Sequence, residues 1–179
     1  MGIEAIGTVY RGYHMRSRLE ARWAVFLDRA GIGWSYEPEG LRVSWSGHTV
    51  SWLPDFWLAT QQWCEVKGSL TTEEAQRLVH IALGVSSCPG SDLVVLGHIP
   101  EEDSARWPVQ LHNHDGELWA VPWTQLPGCP LGGVREPLES DAIPDARLLL
   151  SGLLSGQPEW AEPALSYARQ ARFEHGQSG

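Results

Sequence analysis

Residues 92–97, with the sequence Asp-Leu-Val-Val-Leu-Gly, constrain the fold of this chain more than any other segment. A short uninterrupted apolar run of this kind is typical of a strand that is buried on both faces. The run follows a helix that opens with Thr71-Thr-Glu-Glu74, a capping-box pattern, and continues to about Leu83. A capped helix that leads into a buried strand favours the α/β class.

The chain before this helix has one helical pattern and then several strand patterns. Between Ser17 and Ala30 the apolar residues recur at helical spacing, and Gly31 supplies a stop. Segments rich in β-branched and aromatic residues predict strands in a meander at residues 33–36, 41–45, 50–58 and 63–67. Beyond residue 100 we expect a strand at 117–121, a short helix near 145–154 and a last helix at 159–174.

Charge is unevenly distributed along the 179 residues, which carry 13 Lys+Arg and 22 Asp+Glu for a net charge of -9. Residues 1–70 hold seven charges of each sign, so the whole excess of negative charge follows residue 70. An acidic total argues against a nucleic-acid partner, because neutralising phosphates drives that affinity. That exclusion therefore applies to the second part only. Four arginines in the first part form a density compatible with phosphate contacts, although a solvated helix face is the more common explanation for such a run; they are Arg11, Arg16, Arg18 and Arg22.

The sequence has neither an apolar run long enough for a membrane span nor the pattern of a secretory signal, so we expect a cytoplasmic protein. Its three cysteines, Cys64, Cys88 and Cys129, form no C-x-x-C pair. An odd number without that pair supports neither a disulfide framework nor a cysteine zinc site.

Residues 54–67 carry the pattern with the clearest chemistry. Alternate side chains share one face of a strand, so Glu65 and Lys67 should point the same way. Asp55 should lie across from them if its strand pairs with theirs through the turn at 59–62. Carboxylates hold Mg²⁺ and an ammonium offsets negative charge on a phosphoryl group, so this set favours metal-assisted phosphodiester hydrolysis.

Pro54-Asp55, followed ten residues later by Glu65-Val66-Lys67, resembles the PD-(D/E)XK nuclease superfamily. The strings at residues 16–24, 36–39 and 54–58 are similar to phage- and mobile-element-associated members, such as the endonuclease subunit of heteromeric transposases. The resemblance implies a restriction-endonuclease-like α-β-β-β-α-β core, with a central mixed sheet flanked by helices. We assign that core domain to residues 1–121, and a proline-rich loop extension with a C-terminal helix to residues 122–179.

The resemblance also implies the roles of individual residues. Asp55, Glu65 and the Val66 carbonyl would be metal ligands for Mg²⁺, for which Mn²⁺ would substitute, and Glu20 would complete the site from the helix. Lys67 would orient the attacking water and stabilise the phosphorane. The implied activity is that of a Mg²⁺-dependent DNA endonuclease. The alternatives are a non-catalytic DNA-binding or assembly subunit of a phage, transposition or defence complex, and a metal-dependent RNase. The expected partners are DNA, a protein bound through the acidic C-terminal part, and a second copy in a homodimer.

Each of these residues also has a structural interpretation. Ser17 and Glu20 fit a capping box, in which Glu20 would reach back to the amide of Ser17. Asp55 could be a turn residue, and Glu65 with Lys67 could form an exposed strand face. Lys67 is the only Lys among the 13 cations. A catalytic ammonium is not interchangeable with a guanidinium, so this single Lys favours the catalytic interpretation. Glu37 and Glu39 flank Pro38, and we expect both to be solvated, with Glu37 as a spare candidate ligand. Two other residues are weaker candidates: Gln76 beside the site, and Trp45 as a base-stacking surface, for which core packing is the favoured interpretation.

Overall fold

The computed structural model describes residues 7–85, 91–102, 104, 106–114, 117–123, 136–138, 152–153, 158 and 160–173. Its helices are α1 (Arg18–Arg29), α2 (Thr72–Val85) and α3 (Glu162–Gln170). The first eight strands are β1 (Thr8–Tyr10), β2 (Tyr13–Met15), β3 (Trp34–Tyr36), β4 (Leu41–Trp45), β5 (His48–Trp52), β6 (Phe56–Leu58), β7 (Gln62–Val66) and β8 (Asp92–Leu96). The later strands are β9 (Arg106–Trp107), β10 (Val109–His114), β11 (Glu117–Pro122), β12 (Glu136–Leu138) and β13 (Gly152–Leu153).

The protein is mixed α/β, with a central mixed sheet flanked by helices, as the sequence predicts. Seven strands form the sheet in the order β12-β11-β10-β8-β7-β6-β3. The pairing of β7 with β8 is parallel and the other pairings are antiparallel. A parallel pair needs a crossover, which α2 provides. The remaining strands form three two-stranded sheets, β1-β2, β4-β5 and β9-β13.

Two apolar clusters lie on opposite faces of the sheet. One joins α1 and α3 to the face that carries Cys64, Val66 and Phe56. The other joins α2 and the β4-β5 hairpin to the face that carries Leu93 and Val95. Because β8 contributes residues to both clusters, it is buried on both faces, as its apolar run indicates.

The predicted capping residues of α1 and α2 are confirmed by their contacts. The Ser17 hydroxyl accepts the Glu20 backbone N–H at 3.1 Å. In the capping box of α2, the Thr71 N–H donates to the Glu74 carboxylate at 2.8 Å, and the Glu74 N–H donates to the Thr71 hydroxyl at 3.2 Å. At the end of α1, Gly31 takes a φ of 72°, which a residue with a Cβ rarely adopts. Local sequence therefore sets the ends of these helices.

The single strand predicted at residues 50–58 is wrong. β5 ends at Trp52 and pairs with β4 outside the central sheet, whereas β6 begins at Phe56 within it. Pro54 lies between them and has no N–H to donate to a strand ladder, so the chain changes sheets there. The short helix expected near 145–154 is also wrong at Gly152–Leu153, which pair with β9 as a strand. Its other residues lie outside the described part of the chain.

The hairpin β4-β5 packs closely on α2 through a glycine. A Cβ placed on Gly84 would lie 2.1 Å from the Val43 side chain, a separation that no real contact allows.

The last helix, α3, begins at Glu162 rather than at 159 and packs against α1. Among the described residues, no helix has the length and apolar character needed to cross a membrane.

Candidate active site

Asp55 lies in the turn that leads into β6, directly beside the end of β7. Its backbone N–H donates to the Cys64 carbonyl at 3.0 Å. Its side-chain Oδ2 accepts the Val66 N–H at 2.7 Å. The antiparallel pairing of β6 with β7 through the turn at 59–61 creates this arrangement, as predicted. The carboxylate is therefore fixed at the carboxyl end of β7.

Glu65 and Lys67 share one face at this end of β7, and their contact confirms the predicted alternation. The Lys67 ammonium lies 3.1 Å from Glu65 Oε1. Trp52 Nε1 donates to Glu65 Oε2 at 2.8 Å, so each oxygen of this carboxylate has a partner. Cys64 and Val66 point into the cluster on the opposite face. The Glu65 carboxylate is thus held in one orientation by residues from β5 and from the end of β7.

Glu20 lies in the first turn of α1, and its two oxygens are hydrogen-bonded. Oε1 accepts the Ser17 hydroxyl at 2.8 Å. Oε2 accepts the Tyr36 hydroxyl at 2.7 Å and the Arg16 backbone N–H at 3.0 Å. Glu20 therefore does reach back in a capping arrangement, but it bonds the Arg16 amide rather than the Ser17 amide. The charge of this carboxylate also acts on Asp55 and contributes to the raised pKa of that group.

Arg16 joins Asp55 to a further carboxylate, that of Glu37. Its guanidinium pairs with Asp55 Oδ1, and its Nε lies 2.9 Å from Glu37 Oε1. Glu37 has a φ of 41°, and its backbone N–H donates to the Asp55 carbonyl at 3.0 Å. Glu37 is therefore half-buried beside the predicted site rather than solvated as the sequence led us to expect.

The electrostatics of the site are dominated by buried negative charge. Glu20, Asp55 and Glu65 are exposed by only 6, 3 and 8 per cent. Burial raises the pKa of Asp55 from its ordinary 3.8 to about 7; the Glu65 and Glu20 charges add to the rise, while the Val66 N–H and Arg16 oppose it. With Glu37, four carboxylates face two cations, Arg16 and Lys67. Ionised, the cluster therefore carries two negative charges in excess.

The predicted ligands are oxygen donors, the kind that Mg²⁺ prefers. The N–H and C=O of one strand residue face the same neighbour, so the Val66 carbonyl lies on the side where its N–H meets Asp55. Mg²⁺ keeps several waters and needs only one or two protein carboxylates. In the described part of the chain, no three His, Cys, Asp or Glu side chains are grouped as a ready-made metal cage. The ligand roles of Asp55, Glu65, Val66 and Glu20 stay predictions.

The four arginines predicted to bind DNA do not form one free surface. Arg16 is turned toward the carboxylates, and Arg11 lies 3.0 Å from Asp28. Arg18 is exposed on α1, whereas Arg22 is half-buried there, with its Nε unpartnered among the described residues.

The weaker candidates are scattered: Glu39 is exposed, Gln76 is half-buried on α2, and Trp45 stacks on His80 with ring centroids 5.8 Å apart.

Two residues of the site escaped the sequence analysis, Tyr36 and Trp52. Both donate to a predicted acid, Tyr36 to Glu20 and Trp52 to Glu65. Their position at the end of a strand, close in sequence to acidic residues, is the signal that could have found them.

No protein-family model, curated protein or solved structure matches this chain.

Proposed function

We propose that this protein is a divalent-metal-dependent DNA endonuclease of the PD-(D/E)XK type. The observation that carries the proposal is that Asp55 bonds the Val66 N–H and is acted on by the Glu65 charge, while Glu65 contacts the Lys67 ammonium. Two buried carboxylates beside an ammonium suit the hydrolysis of a phosphodiester, which needs a hard cation and a counter-charge for the phosphoryl oxygens.

The order of elements supports the same proposal. The chain runs α1, β3, β6, β7, α2 and β8, with the β4-β5 hairpin inserted between β3 and β6. Without the hairpin this is the α-β-β-β-α-β order that the resemblance implies. The site lies where β6 begins and β7 ends, so Asp55 and Glu65 come from neighbouring strands, and Glu20 comes from the helix before them.

The proposal gives each residue of the site a defined role. Asp55 and Glu65 would hold the cation, and the Val66 N–H keeps the Asp55 carboxylate in place. Trp52 fixes the orientation of Glu65 through its hydrogen bond. A bound divalent cation would polarise the scissile phosphate and acidify a water. Lys67, the residue after β7, contacts Glu65 and offsets the negative charge that develops on the phosphoryl oxygens.

The deciding experiment incubates supercoiled plasmid with the purified protein and Mg²⁺ or Mn²⁺, next to the Lys67→Ala variant and an EDTA control. We expect metal-dependent nicking or linearisation by the wild type and its loss in the variant. Equal cleavage by both proteins would indicate a contaminating nuclease and overturn the assignment. A parallel reaction with a structured RNA of similar length distinguishes a deoxyribonuclease from the RNase alternative.

A non-catalytic DNA-binding or assembly subunit is the second candidate, and one observation favours it. Asp55 already pairs with the Arg16 guanidinium, and Glu65 already pairs with the Lys67 ammonium, as in a purely structural cluster of ion pairs. This candidate predicts DNA binding that is indifferent to divalent metal, with no cleavage under any metal condition. The acidic residues after position 70 would then supply the surface for a partner protein.

A further inference from the structure

Arg16 holds the carboxylate oxygen that a metal ion would need. Resting on the proposed function, we infer that Arg16 is an exchangeable internal counter-ion: its guanidinium neutralises Asp55 and Glu37 until a divalent cation binds, and then transfers to a phosphate of the DNA. This role differs from that of a permanent structural ion pair and from that of a simple surface contact to DNA.

The two oxygens of Asp55 have different partners, and this difference carries the inference. Oδ2 accepts the Val66 N–H at 2.7 Å, a main-chain contact that fixes the carboxylate. Oδ1 is the oxygen left for a cation, and it is the oxygen that the Arg16 guanidinium contacts. A metal ion bound at about 2.1 Å from Oδ1 would stand where the guanidinium now lies. The two cations would also repel each other, so they cannot share this oxygen.

Arg16 is built so that its side chain can move while its backbone stays. Its backbone N–H donates to Glu20 Oε2 at 3.0 Å and to the Tyr36 hydroxyl at 3.1 Å. Its side chain is 55 per cent exposed, whereas the Asp55 side chain is 4 per cent exposed. The guanidinium can therefore leave toward solvent, where a substrate would approach, without disturbing the start of α1.

Phosphate is the ligand that suits the released guanidinium best. The planar fork of Arg matches the paired oxygens of a carboxylate and those of a phosphate equally well. In the structure, a terminal nitrogen of the fork bonds Asp55, and Nε lies 2.9 Å from Glu37 Oε1 without a hydrogen bond between them. If metal binding releases this fork, metal and DNA must strengthen each other's binding by the same factor.

The first test measures Mn²⁺ affinity by isothermal titration calorimetry without DNA, for the wild type, Arg16→Ala and Arg42→Ala. Arg42 is exposed on β4 and serves as the matched control for the loss of one positive charge. We expect Arg16→Ala to bind Mn²⁺ about tenfold more tightly, because the competing cation is gone, and Arg42→Ala to match the wild type. Equal or weaker binding by Arg16→Ala would overturn the inference while leaving the proposed function intact.

Failure of the proposed function gives a different result. If neither the wild type nor Arg16→Ala binds Mn²⁺, there is no metal site, and both proposals fall. Should Arg16→Ala require metal to fold, Mn²⁺ must restore its circular dichroism spectrum, and failure to do so counts against the inference. Arg16→Lys keeps the charge without the fork, so its Mn²⁺ affinity should lie between those of the wild type and the alanine variant. An affinity equal to that of the wild type also counts against it.

The second test measures the transfer to phosphate, with Lys67→Ala as the background so that no DNA is cleaved. The affinity for a short DNA duplex is measured with and without Mn²⁺ by fluorescence anisotropy. We expect Mn²⁺ to strengthen DNA binding more in this background than in the double variant with Arg16→Ala. An enhancement by Mn²⁺ that is the same in both proteins would refute the transfer of the guanidinium to phosphate.

Discussion

Asp55 is buried beside other carboxylates, so the metal-free protein should lose stability as the pH rises. In the folded state its pKa is about 7, against an ordinary value of 3.8. The folded protein therefore holds a proton on Asp55 over a pH range in which the unfolded chain has released it. The stability that this proton provides is fully present below pH about 4 and is lost as the pH rises to about 7.

The size of the effect follows from the shift. The rise of about three pKa units corresponds to about 4 kcal/mol, since one unit is worth about 1.4 kcal/mol. The Asp55→Asn variant keeps the shape and carries no ionisable group. Relative to the wild type, we expect it to have a similar free energy of unfolding at pH 4 and one about 2 to 4 kcal/mol higher at pH 8. A residue kept at this cost to stability is typical of a functional site.

The assay is urea unfolding followed by tryptophan fluorescence at pH 4, 5, 6, 7 and 8, with and without MgCl₂. Mg²⁺ should raise the free energy of unfolding of the wild type at pH 8 and leave Asp55→Asn nearly unchanged, because ligand binding stabilises only a protein that retains the site. Asp28→Asn is the matched control. Asp28 pairs with Arg11 at 3.0 Å and accepts the Tyr10 hydroxyl at 2.7 Å, so this variant should be less stable than the wild type at pH 8.

One result would refute the reasoning about Asp55. If Asp55→Asn is less stable than the wild type at pH 8 without metal, the ion pair with Arg16 more than offsets the burial of the charge. Asp55 would then be a structural residue like Asp28. The same conclusion would follow if the difference in free energy between variant and wild type did not change between pH 4 and pH 8.

Three further predictions concern other parts of the molecule. Lys67→Arg should lower plasmid cleavage at least about a hundredfold with unchanged melting temperature, and near-normal turnover would exclude a specific need for the ammonium. Trp52→Phe removes the donor to Glu65 and should weaken Mn²⁺ binding about 10- to 100-fold by calorimetry, whereas unchanged affinity would show that Glu65 is positioned without it. Gly84→Ala should cost about 1 to 3 kcal/mol in urea unfolding, and adding Val43→Ala should restore part of it if the clash is the cause.

The parts of the fold that the sequence predicts well depend on local signals. The caps at Ser17 and Thr71 involve residues three apart, and the alternation along β7 involves neighbours. The strand pattern at residues 50–58 does not show the division into β5 and β6, because such a pattern carries no information about the strand's partner. β5 pairs with β4 and β6 pairs with β3 and β7, and these choices are decided by packing over long separations. Pro54 is the local signal of the break, because proline has no N–H to donate to a strand ladder.

The candidate site is likewise predicted only where local sequence signals are sufficient. Asp55, Glu65 and Lys67 could be brought together from strand alternation and one turn. The hydrogen bonds that hold the acids could not, because Tyr36 is 16 residues from Glu20, and Arg16 is 39 residues from Asp55. A charge pattern in a sequence shows that Arg16 belongs to a basic run. It does not show which way a side chain turns when buried carboxylates lie within its reach.

The contrast between the two cations of the site gives physical meaning to the scarcity of lysine in this chain. Arg16 bonds Asp55 through a terminal nitrogen, and its Nε lies 2.9 Å from Glu37 Oε1. Lys67, the residue after β7, contacts one oxygen of one acid, Glu65 Oε1. A compact ammonium that contacts a single oxygen can follow charge that develops on a substrate, whereas the Arg16 guanidinium must first leave Asp55. If both cations only balanced the acids, Lys67 could become Arg, like the other twelve cations, without loss. The Lys67→Arg variant therefore tests whether the geometry of the charge matters, and the Arg16 variants test whether its release does.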